Sequence, residues 1–271
     1  MSIEDIIKRT GNSPITIERL VSDLRALGVE PGMALLVHSS LSKIGFVCGG
    51  AQAVVMALQE VIGDEGTLMM PSMSGDWSDP KPWEAPSVPE SWWPVIREHW
   101  PAWDPALSQT REMGAIVDTF LKQHDVIRSQ HPASSFAARG PNAQQLTCQH
   151  NLPDSMGDTS PLGILNKLDG HVLLLGVGYA NNSSLHLAEY RSTYASKTTR
   201  TQGAAMLVDG KRIWVKYEQF ALTDKDFVQV GEALESQTDH TTVGRIGLAE
   251  SRLMRQRPLV DFATDWMNKN R

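Results

Sequence analysis

One repeated pattern limits the fold of this 271-residue chain most strongly: a short apolar strand, a polar loop, an amphipathic helix and a second apolar strand. The run "ALLV" at 34–37 has the length of a buried strand, and the glycine-rich stretch 38–50 after it is polar. Val54, Leu58 and Val61 then share one helical face before "GTLMMP" supplies the next strand. This order predicts an α/β protein with a mainly parallel sheet, in which ligands bind at the carboxyl ends of the strands.

The rest of the chain continues the alternation. Apolar residues at helical spacing predict a helix at 17–27, and Asp209 with Gly210 predicts the turn of a β-hairpin. The further predictions are a helix at "MGAIVDTFLKQ", a loop at "RSQHPASSFAARG", a strand at "HVLLLGV", hairpin strands in "AAMLVDGKRIWVKY", and C-terminal helices at "GLAESRLMRQ" and "PLVDFATDWMNK". We expect residues 1–271 to form a single domain.

Residues 74–105 interrupt this pattern, because they contain six of the eight tryptophans and seven of the fifteen prolines. Tryptophan side chains bury large apolar areas, so a segment this rich in them is not expected to remain solvated. We predict an ordered lid or wall that packs over a site.

Composition narrows the classes of protein. The apolar fraction of 41% supports a sizeable core, and the apolar runs are far shorter than the roughly 20 residues that a membrane span needs. The N-terminus is charged where a signal peptide is apolar, which predicts a cytoplasmic protein without a membrane partner. Cys48 and Cys148 are too few for a disulfide framework and are expected to be reduced. The net charge of -6 disfavours nucleic acid and suits a small cationic partner.

His186 and Glu189 lie three residues apart in "NSSLHLAEYR", directly after an apolar strand. On a helix these two side chains share a face and interact. They could be a capping or surface pair, since such spacing is common on solvated helices. They could equally be catalytic, because a histidine in a first helical turn is kept neutral and a glutamate stabilises the imidazolium formed on proton uptake.

The loop "HSSLSKIG" offers three hydroxyls, backbone N–H groups and Lys43 between a strand and a helix. Such groups bind phosphate, although an ordinary polar loop has the same composition. Arg128 could meet a second phosphate or lie on the surface. The sequence contains no G-x-S-x-G, Walker A, HExxH or CxxC motif, and "GVGYANN" lacks the last glycine of a dinucleotide fingerprint. His186 and Glu189 have no obvious third ligand for a metal.

Together these segments resemble the aminoglycoside 3-N-acetyltransferase family. The similarity covers roughly residues 13–265 and is marked by "LLVHSSLSKIG", "GTLMMPS", "DWSDP", "WDPALSQT", "MGAIVDTF", "RSQHPASSFAARGP", "SPLGILNKLDGHVLLLGVG", "NSSLHLAEYR" and, more weakly, "VGRIGLAESRL". The resemblance implies an α/β/α sandwich with a Trp/Pro-rich substrate lid. It also implies acetyl-CoA as co-substrate, no metal, and an aminoglycoside or another cationic small amine as acceptor.

The resemblance also implies roles for individual residues. His186 corresponds to the catalytic base, Glu189 to its partner, and His38 lies close to the thioester. The implied contacts to coenzyme A are Ser39, Ser40, Leu41, Lys43 and Gly45 in the loop, with Arg128 and Ser129 as secondary candidates. The implied contacts to the aminoglycoside are Asp76, Trp77 and Asn181.

Two departures from the family pattern affect the acceptor. Related sequences usually carry an aspartate where this chain has Asn181, so a negative charge near the substrate amine is missing here. The stretch "WDPALSQT" replaces a more usual phenylalanine and a threonine-proline-threonine ending. Both changes leave the base and the cofactor loop intact.

We therefore expect direct transfer of acetyl from acetyl-CoA to the 3-amino group of a deoxystreptamine ring, with His186 as general base. The nearest alternative is the same transfer to another small primary amine. A thioesterase or hydrolase using Ser39 or Ser40 with His186 is a more distant class, and a non-catalytic protein that binds coenzyme A or aminoglycosides is a third.

Overall fold

A computed structural model describes residues 2–84 and 86–271. The α-helices are α1 (Ile3–Thr10), α2 (Ile17–Leu27), α3 (Leu41–Ile44), α4 (Gly50–Ile62), α5 (Trp93–His99), α6 (Ala115–Phe120), α7 (Ala143–Thr147), α8 (Pro161–Lys167), α9 (Ser184–Arg191), α10 (Phe227–Gln237) and α11 (Gln256–Asn270). The strands are β1 (Ala34–Ser39), β2 (Thr67–Pro71), β3 (Ile127–Arg128), β4 (Phe136–Arg139), β5 (His171–Leu175), β6 (Thr199–Val208), β7 (Lys211–Phe220), β8 (Thr241–Ile246) and β9 (Ala249–Arg255). Short 3-10 turns occupy Glu90–Trp92, Leu152–Asp154 and Tyr179–Asn181.

The main sheet has the order β3-β4-β2-β1-β5-β9-β8 within the described residues. Strand β1 pairs in parallel with β2 and with β5, and every other neighbouring pair in this sheet is antiparallel. The prediction of a mainly parallel sheet is therefore wrong outside the central three strands. The sheet is mixed, with an antiparallel pair added at each edge.

The edge strands occupy segments that were predicted otherwise. Within the predicted loop 128–140, β4 runs back along β2 and pairs with β3. The predicted helix at 247–256 is wrong over most of its length, because β9 occupies 249–255. Its buried residues Ala249, Ser251 and Leu253 recur at period two, which is strand periodicity, and pairing with β5 and β8 overrides the helical propensity of the segment.

The helices form a layer on each face of the sheet, so the predicted α/β/α sandwich is confirmed. Side chains of a strand point alternately to the two faces. In β1, Leu35 and Val37 join the core beneath α2, α4 and α6, whereas Leu36 joins the core beneath α7 to α11. Each fully buried leucine or valine contributes about 1.5–3 kcal/mol relative to exposure, so both layers hold the central strands in place.

The tryptophan-rich segment packs on the separate hairpin of β6 and β7. Trp77 meets Trp100 and Trp103 edge to face, with ring centroids 5.9 and 6.1 Å apart. The backbone N–H of Trp103 donates to the Ala205 carbonyl at 2.8 Å, and Arg212 Nε donates to the Trp100 carbonyl at 3.0 Å. The predicted hairpin and the ordered packing of the tryptophans are confirmed, and the role of the segment as a lid or wall over a site stays a prediction.

Three smaller observations complete the fold. The predicted helix at 113–123 forms only as the shorter α6. Cys48 and Cys148 are exposed and free of disulfide bonds. Among the residues that the structure describes, no helix has both the length and the apolar content needed to cross a membrane.

Candidate active site

A cavity of about 240 Å³ lies where β1 ends and α9 begins. His38 and Ser39 reach it from the carboxyl end of β1, and His186 reaches it from the first half of α9. Asn181 and Glu112 contribute from two loops. This is the edge of the sheet at which the parallel strand order predicts ligand binding.

The polar residues before His186 start helix α9. After β5 the chain forms the 3-10 turn Tyr179–Asn181, and the side chain of Asn182 then accepts a hydrogen bond from the Ser184 N–H at 3.1 Å. Asn182 and Ser184 are fully buried, and Gln256 of α11 donates to the Ser184 hydroxyl at 3.0 Å. These two residues therefore have a structural role, because their hydrogen bonds fix the start of α9 and with it the position of His186.

His186 and Glu189 form the predicted pair. The distance from His186 Nδ1 to Glu189 Oε2 is 2.8 Å, and the His186 side chain keeps 19% of its surface accessible. Because a carboxylate only accepts, Nδ1 carries a proton, and in the neutral form of the ring Nε2 then keeps its lone pair. The Phe227 ring packs against the imidazole with a centroid distance of 4.8 Å, which fixes its plane.

Helix α10 supplies Phe227 because it approaches the 3-10 turn closely at Gly231. A Cβ atom at Gly231 would lie 2.0 Å from the Tyr179 ring, so only glycine permits this packing. The sheet, α9 and α10 thus all converge on His186.

Glu189 is buried and receives four donors. Besides His186 Nδ1 it accepts from Arg271 Nη1 at 2.8 Å, from the Thr223 N–H at 3.0 Å and from the Tyr194 hydroxyl at 3.3 Å. Burial by itself raises the pKa of Glu189, but the hydrogen bonds from His186, Arg271 and the Thr223 N–H outweigh it and hold the pKa below its usual range. The carboxylate is ionised at neutral pH and lies where an imidazolium would need it.

His38 is a second histidine of the cavity, and it is neutral. Burial, with a smaller contribution from the charge of His186, lowers the pKa of His38 to about 3. Its Nε2 and the hydroxyl of Ser39 are buried polar atoms without a hydrogen-bond partner among the described residues. Buried polar groups are normally paired, so these two atoms indicate a ligand that supplies the missing partners.

Comparisons with known proteins show which family this chain belongs to. The family model described as aminoglycoside 3-N-acetyltransferase matches residues 36–268. The chain belongs to this family.

Two relatives of this acetyltransferase illustrate the similarity. The SPbeta prophage-derived aminoglycoside N(3')-acetyltransferase-like protein YokD of Bacillus subtilis is 44% identical, over 95% of this chain and 94% of its own length. The aminoglycoside N(3)-acetyltransferase VII of Streptomyces paromomycinus is 33% identical, over 97% of this chain and 95% of its own.

Solved structures in the family have the same fold. The YokD crystal structure from Bacillus subtilis superposes with a TM-score of 0.95 at 42% identity, covering 98% of both chains. AAC-IIIb in a binary complex with CoASH gives 0.84 at 28% identity, covering 95% of this chain and 97% of that one. AAC-VIa bound to sisomicin superposes with a TM-score of 0.84 at 28% identity, covering 95% of this chain and 98% of that one. The predicted family, fold and enzyme class, an acetyltransferase of the 3-N type, are confirmed.

The loop after β1 lies beside a second cavity of this acetyltransferase, of about 530 Å³. Exposed Lys43 of α3 lines it together with Arg9 and Arg252, and Val177 lines both cavities. Of the other loop residues named from the sequence, Ser40 precedes α3 and Leu41 opens it, while Gly45 follows it with φ 109°.

Arg128 and Ser129 lie outside the lining of the first cavity. The Arg128 guanidinium is buried against Trp103 and donates to the carbonyls of Ser72 and Ser108, each at 2.5 Å. Burial lowers the pKa of Arg128 to about 10. Ser129 is fully buried, and its hydroxyl is 2.8 Å from His150 Nδ1. In this structure both residues tie neighbouring segments together.

The residues named for the acceptor are divided between two places. Asn181 is exposed and lines the first cavity. Asp76 and Trp77 do not line it; Asp76 forms an ion pair with Arg111, and Trp77 belongs to the tryptophan cluster. The structure brings together His38, Ser39, Asn181 and His186, and places Glu189 directly behind them.

Sequence reasoning missed three residues of this site. Arg271 lies 82 positions from Glu189, and no local pattern connects them. Phe227 begins α10, a helix that was not predicted. Glu112 lines the cavity from a loop, and its only sequence signal is its position directly before the "MGAIVDTF" segment. No group of three or more potential ligands in the described chain is placed to hold a metal ion.

Proposed function

We propose that this acetyltransferase moves acetyl from acetyl-CoA to the 3-amino group of the deoxystreptamine ring of an aminoglycoside, with His186 as general base. The observation that carries the proposal is the orientation of the imidazole. His186 lines the cavity, its Nδ1 is bonded to the buried Glu189 carboxylate, and its Nε2 remains for the substrate.

In the proposed reaction the neutral amine attacks the thioester carbonyl carbon, a C–N bond forms, and the C–S bond to coenzyme A breaks. Nε2 takes the proton that the amine nitrogen loses and then gives it to the leaving thiolate, which returns the imidazole to its neutral form. Glu189 accepts from Nδ1 throughout and stabilises the imidazolium. The acetylated amine and the free thiol are the products.

The end of β1 supplies groups for the thioester. The unpartnered Ser39 hydroxyl lies in the wall of the cavity and can donate to the oxyanion that forms on the carbonyl. The neighbouring His38 has an unpartnered Nε2 and stays neutral, so it adds no charge there. CoASH in the related AAC-IIIb structure supports the nature of the donor.

The phosphates of acetyl-CoA are assigned to the second cavity. It adjoins the first at Val177, and its lining carries the cationic groups of Arg9, Lys43 and Arg252 together with the carboxylates of Glu232, Glu235 and Glu250. Arg252 is paired with Glu235 and Glu250, so Arg9 and Lys43 are the cations assigned to the phosphates. An extended substrate can therefore place its thioester beside His186 and its anionic part beside Lys43. Arg128 and Ser129 remain secondary candidates, whose hydrogen bonds in the protein interior make them weaker ones.

Acceptor binding is assigned to Asn181 at the cavity, with Asp76 and Trp77 in the adjoining tryptophan-rich wall. Sisomicin in the related AAC-VIa structure supports an aminoglycoside as the acceptor class. Another small primary amine is the second candidate, since Asn181 removes a charge that related sequences carry.

A hydrolase that uses a serine nucleophile has less support. Neither Ser39 nor Ser40 is hydrogen-bonded to His186 in the described chain, and the Ser40 hydroxyl lies 3.4 Å from that of Ser42. A nucleophilic serine is normally recognised by its hydrogen bond to the base.

The test is release of free thiol from acetyl-CoA with and without acceptor, across aminoglycosides and simple polyamines. We expect release that depends on an aminoglycoside and yields a product acetylated at the 3-amino group. Thiol release without any amine would identify a thioesterase. Release only with simple polyamines would replace the aminoglycoside by another amine.

A further inference from the structure

Glu112 combines an unusual backbone conformation with a place in the cavity wall. Its φ of 58° lies in the left-handed region, which is disfavoured for residues with a Cβ. Among described residues other than glycine, Asp169 and Asp209 share this conformation, but neither lines the cavity of His186. Residues held in such conformations concentrate at functional sites.

The segment around Glu112 is anchored on both sides. The Arg111 N–H donates to the Met73 carbonyl at 2.8 Å, and its guanidinium pairs with Asp76. On the other side, helix α6 begins directly after Gly114. The backbone conformation at Glu112 is thus fixed by its neighbours rather than by its own side chain.

The carboxylate of Glu112 makes no hydrogen bond or ion pair with any described residue, and the residue is exposed. Among the described residues of the cavity lining, Glu112 is the sole carboxylate; His38, Asn181 and His186 carry no negative charge. A carboxylate without a partner among the described residues therefore lies in the wall of the cavity that His186 also lines.

We infer that Glu112 is a specificity-determining residue that receives an ammonium group of the acceptor; this inference rests on the proposed function. The amine that attacks must be neutral, whereas the other amino groups of an aminoglycoside stay protonated near neutral pH. One of these ammonium groups pairs with Glu112 and thereby directs the neutral amine to His186. Glu112 supplies the negative charge that Asn181 lacks, from another segment of the cavity wall.

The inference is tested with Glu112→Gln, which keeps the side-chain shape and removes the charge. Asp209→Asn is the matched control, because it removes an acidic charge from the same backbone conformation in the remote β6–β7 turn. Sisomicin binding without acetyl-CoA is measured by titration calorimetry, and steady-state thiol release is measured for the same proteins. Melting temperatures establish that all three are folded.

For Glu112→Gln we expect sisomicin affinity to fall about fivefold at low salt, with a similar rise in its KM, and the difference to shrink below about twofold at 0.5 M salt. Its KM for acetyl-CoA should stay within about twofold of the parent, and Asp209→Asn should match the parent throughout. Unchanged sisomicin affinity in Glu112→Gln overturns the role of Glu112. If the parent still transfers acetyl in that case, the proposed function stands. A parent that neither binds sisomicin nor releases thiol overturns both.

Discussion

At the scale of single residues, the chemistry depends on the charges behind the imidazole. Glu189 lies between His186 and Arg271, and Arg271 also binds Asp226 with distances of 2.5 and 2.7 Å. Burial alone lowers the pKa of Arg271, but its hydrogen bonds to Asp226 and Glu189 reverse this and raise the pKa. Arg271 is a permanent cation that positions the carboxylate and partly offsets its negative charge toward His186.

Removing the two charges should move the pH–rate profile in opposite directions. Glu189→Gln loses the charge that stabilises imidazolium, so the rising limb should move to lower pH, whereas Arg271→Leu should move it to higher pH. We expect displacements of about 0.5–1 pH unit, with reduced kcat in both variants. The measurement is kcat/KM from pH 5 to 9 in variants shown to be folded by circular dichroism.

Arg271→Lys is the control for that experiment, because it keeps the cation and should restore most of the parent profile. Displacement of both profiles in the same direction would contradict the arrangement of charges, as would an Arg271→Leu profile identical to that of the parent.

At the scale of elements, the proposed phosphate site for acetyl-CoA depends on the loop and short helix after β1. Lys43 is exposed on α3, and its ammonium has no hydrogen bond or ion pair in the described chain. A charge-assisted bond to phosphate contributes about 1.5–3 kcal/mol when buried and less when solvated. Lys43 is therefore expected to contribute at the low end of that range.

We predict that Lys43→Ala raises KM for acetyl-CoA about threefold to tenfold and changes KM for the aminoglycoside by less than about twofold. Lys211 is an exposed lysine at the start of β7, and Lys211→Ala should change neither of the two KM values. The measurement is steady-state thiol release with each substrate varied in turn. Equal increases in both KM values for Lys43→Ala would remove the phosphate site from this loop.

The elements differ in how far the sequence alone predicts them. The central unit of β1, α4 and β2 follows from local periodicity, and α9 follows from the polar residues after a buried strand. The antiparallel edges were missed because β4 and β9 are stabilised by partners distant in sequence. Strand β9, for example, pairs with β5 about 80 residues earlier, a contact that no window of the sequence contains.

The same reasoning explains which site residues were predicted. Ser39 and His186 stand in short motifs at the ends of strands that suggest a site, and the role of His38 beside the thioester is implied by the family resemblance. Arg271 and Phe227 reach the site through the packing of α10 and α11, which depends on the whole tertiary structure. Arg128 carries no sequence signal that separates a phosphate ligand from a buried cation bonded to backbone carbonyls, which is how the structure shows it.

At the scale of the whole molecule, buried histidines connect stability to pH. His131 and His150 pack with ring centroids 4.8 Å apart, and His150 bonds to Ser129 and to the Ser155 carbonyl. Burial, to which His150 adds, lowers the pKa of His131 to about 3, and burial lowers the pKa of His150 to about 4. These histidines are neutral when folded and bind protons near pH 6.5 when the chain unfolds.

The free energy of unfolding should therefore have its full value, as far as these histidines set it, above about pH 6.5. It should decrease as the pH falls toward 4, because the unfolded chain then binds more protons than the folded one. Each of these histidines contributes at most about 1.4 kcal/mol per pH unit to the decrease in the free energy of unfolding. Urea unfolding at pH values from 7.5 to 4.5 measures this decrease in the free energy of unfolding. His150→Gln should reduce the slope, and exposed His124→Gln should leave it unchanged. A free energy of unfolding that stays constant between pH 7.5 and 5 would contradict the prediction.

The most direct test of the proposed reaction is the kinetics of His186→Ala. Loss of the general base should lower kcat for aminoglycoside acetylation by about 10²- to 10⁴-fold, while coenzyme A affinity should stay nearly unchanged because the proposed phosphate site lies at the separate loop. Circular dichroism and melting temperature establish that the variant is folded. A folded His186→Ala protein that acetylates aminoglycosides within about threefold of the parent across the pH range would show that His186 is not the base.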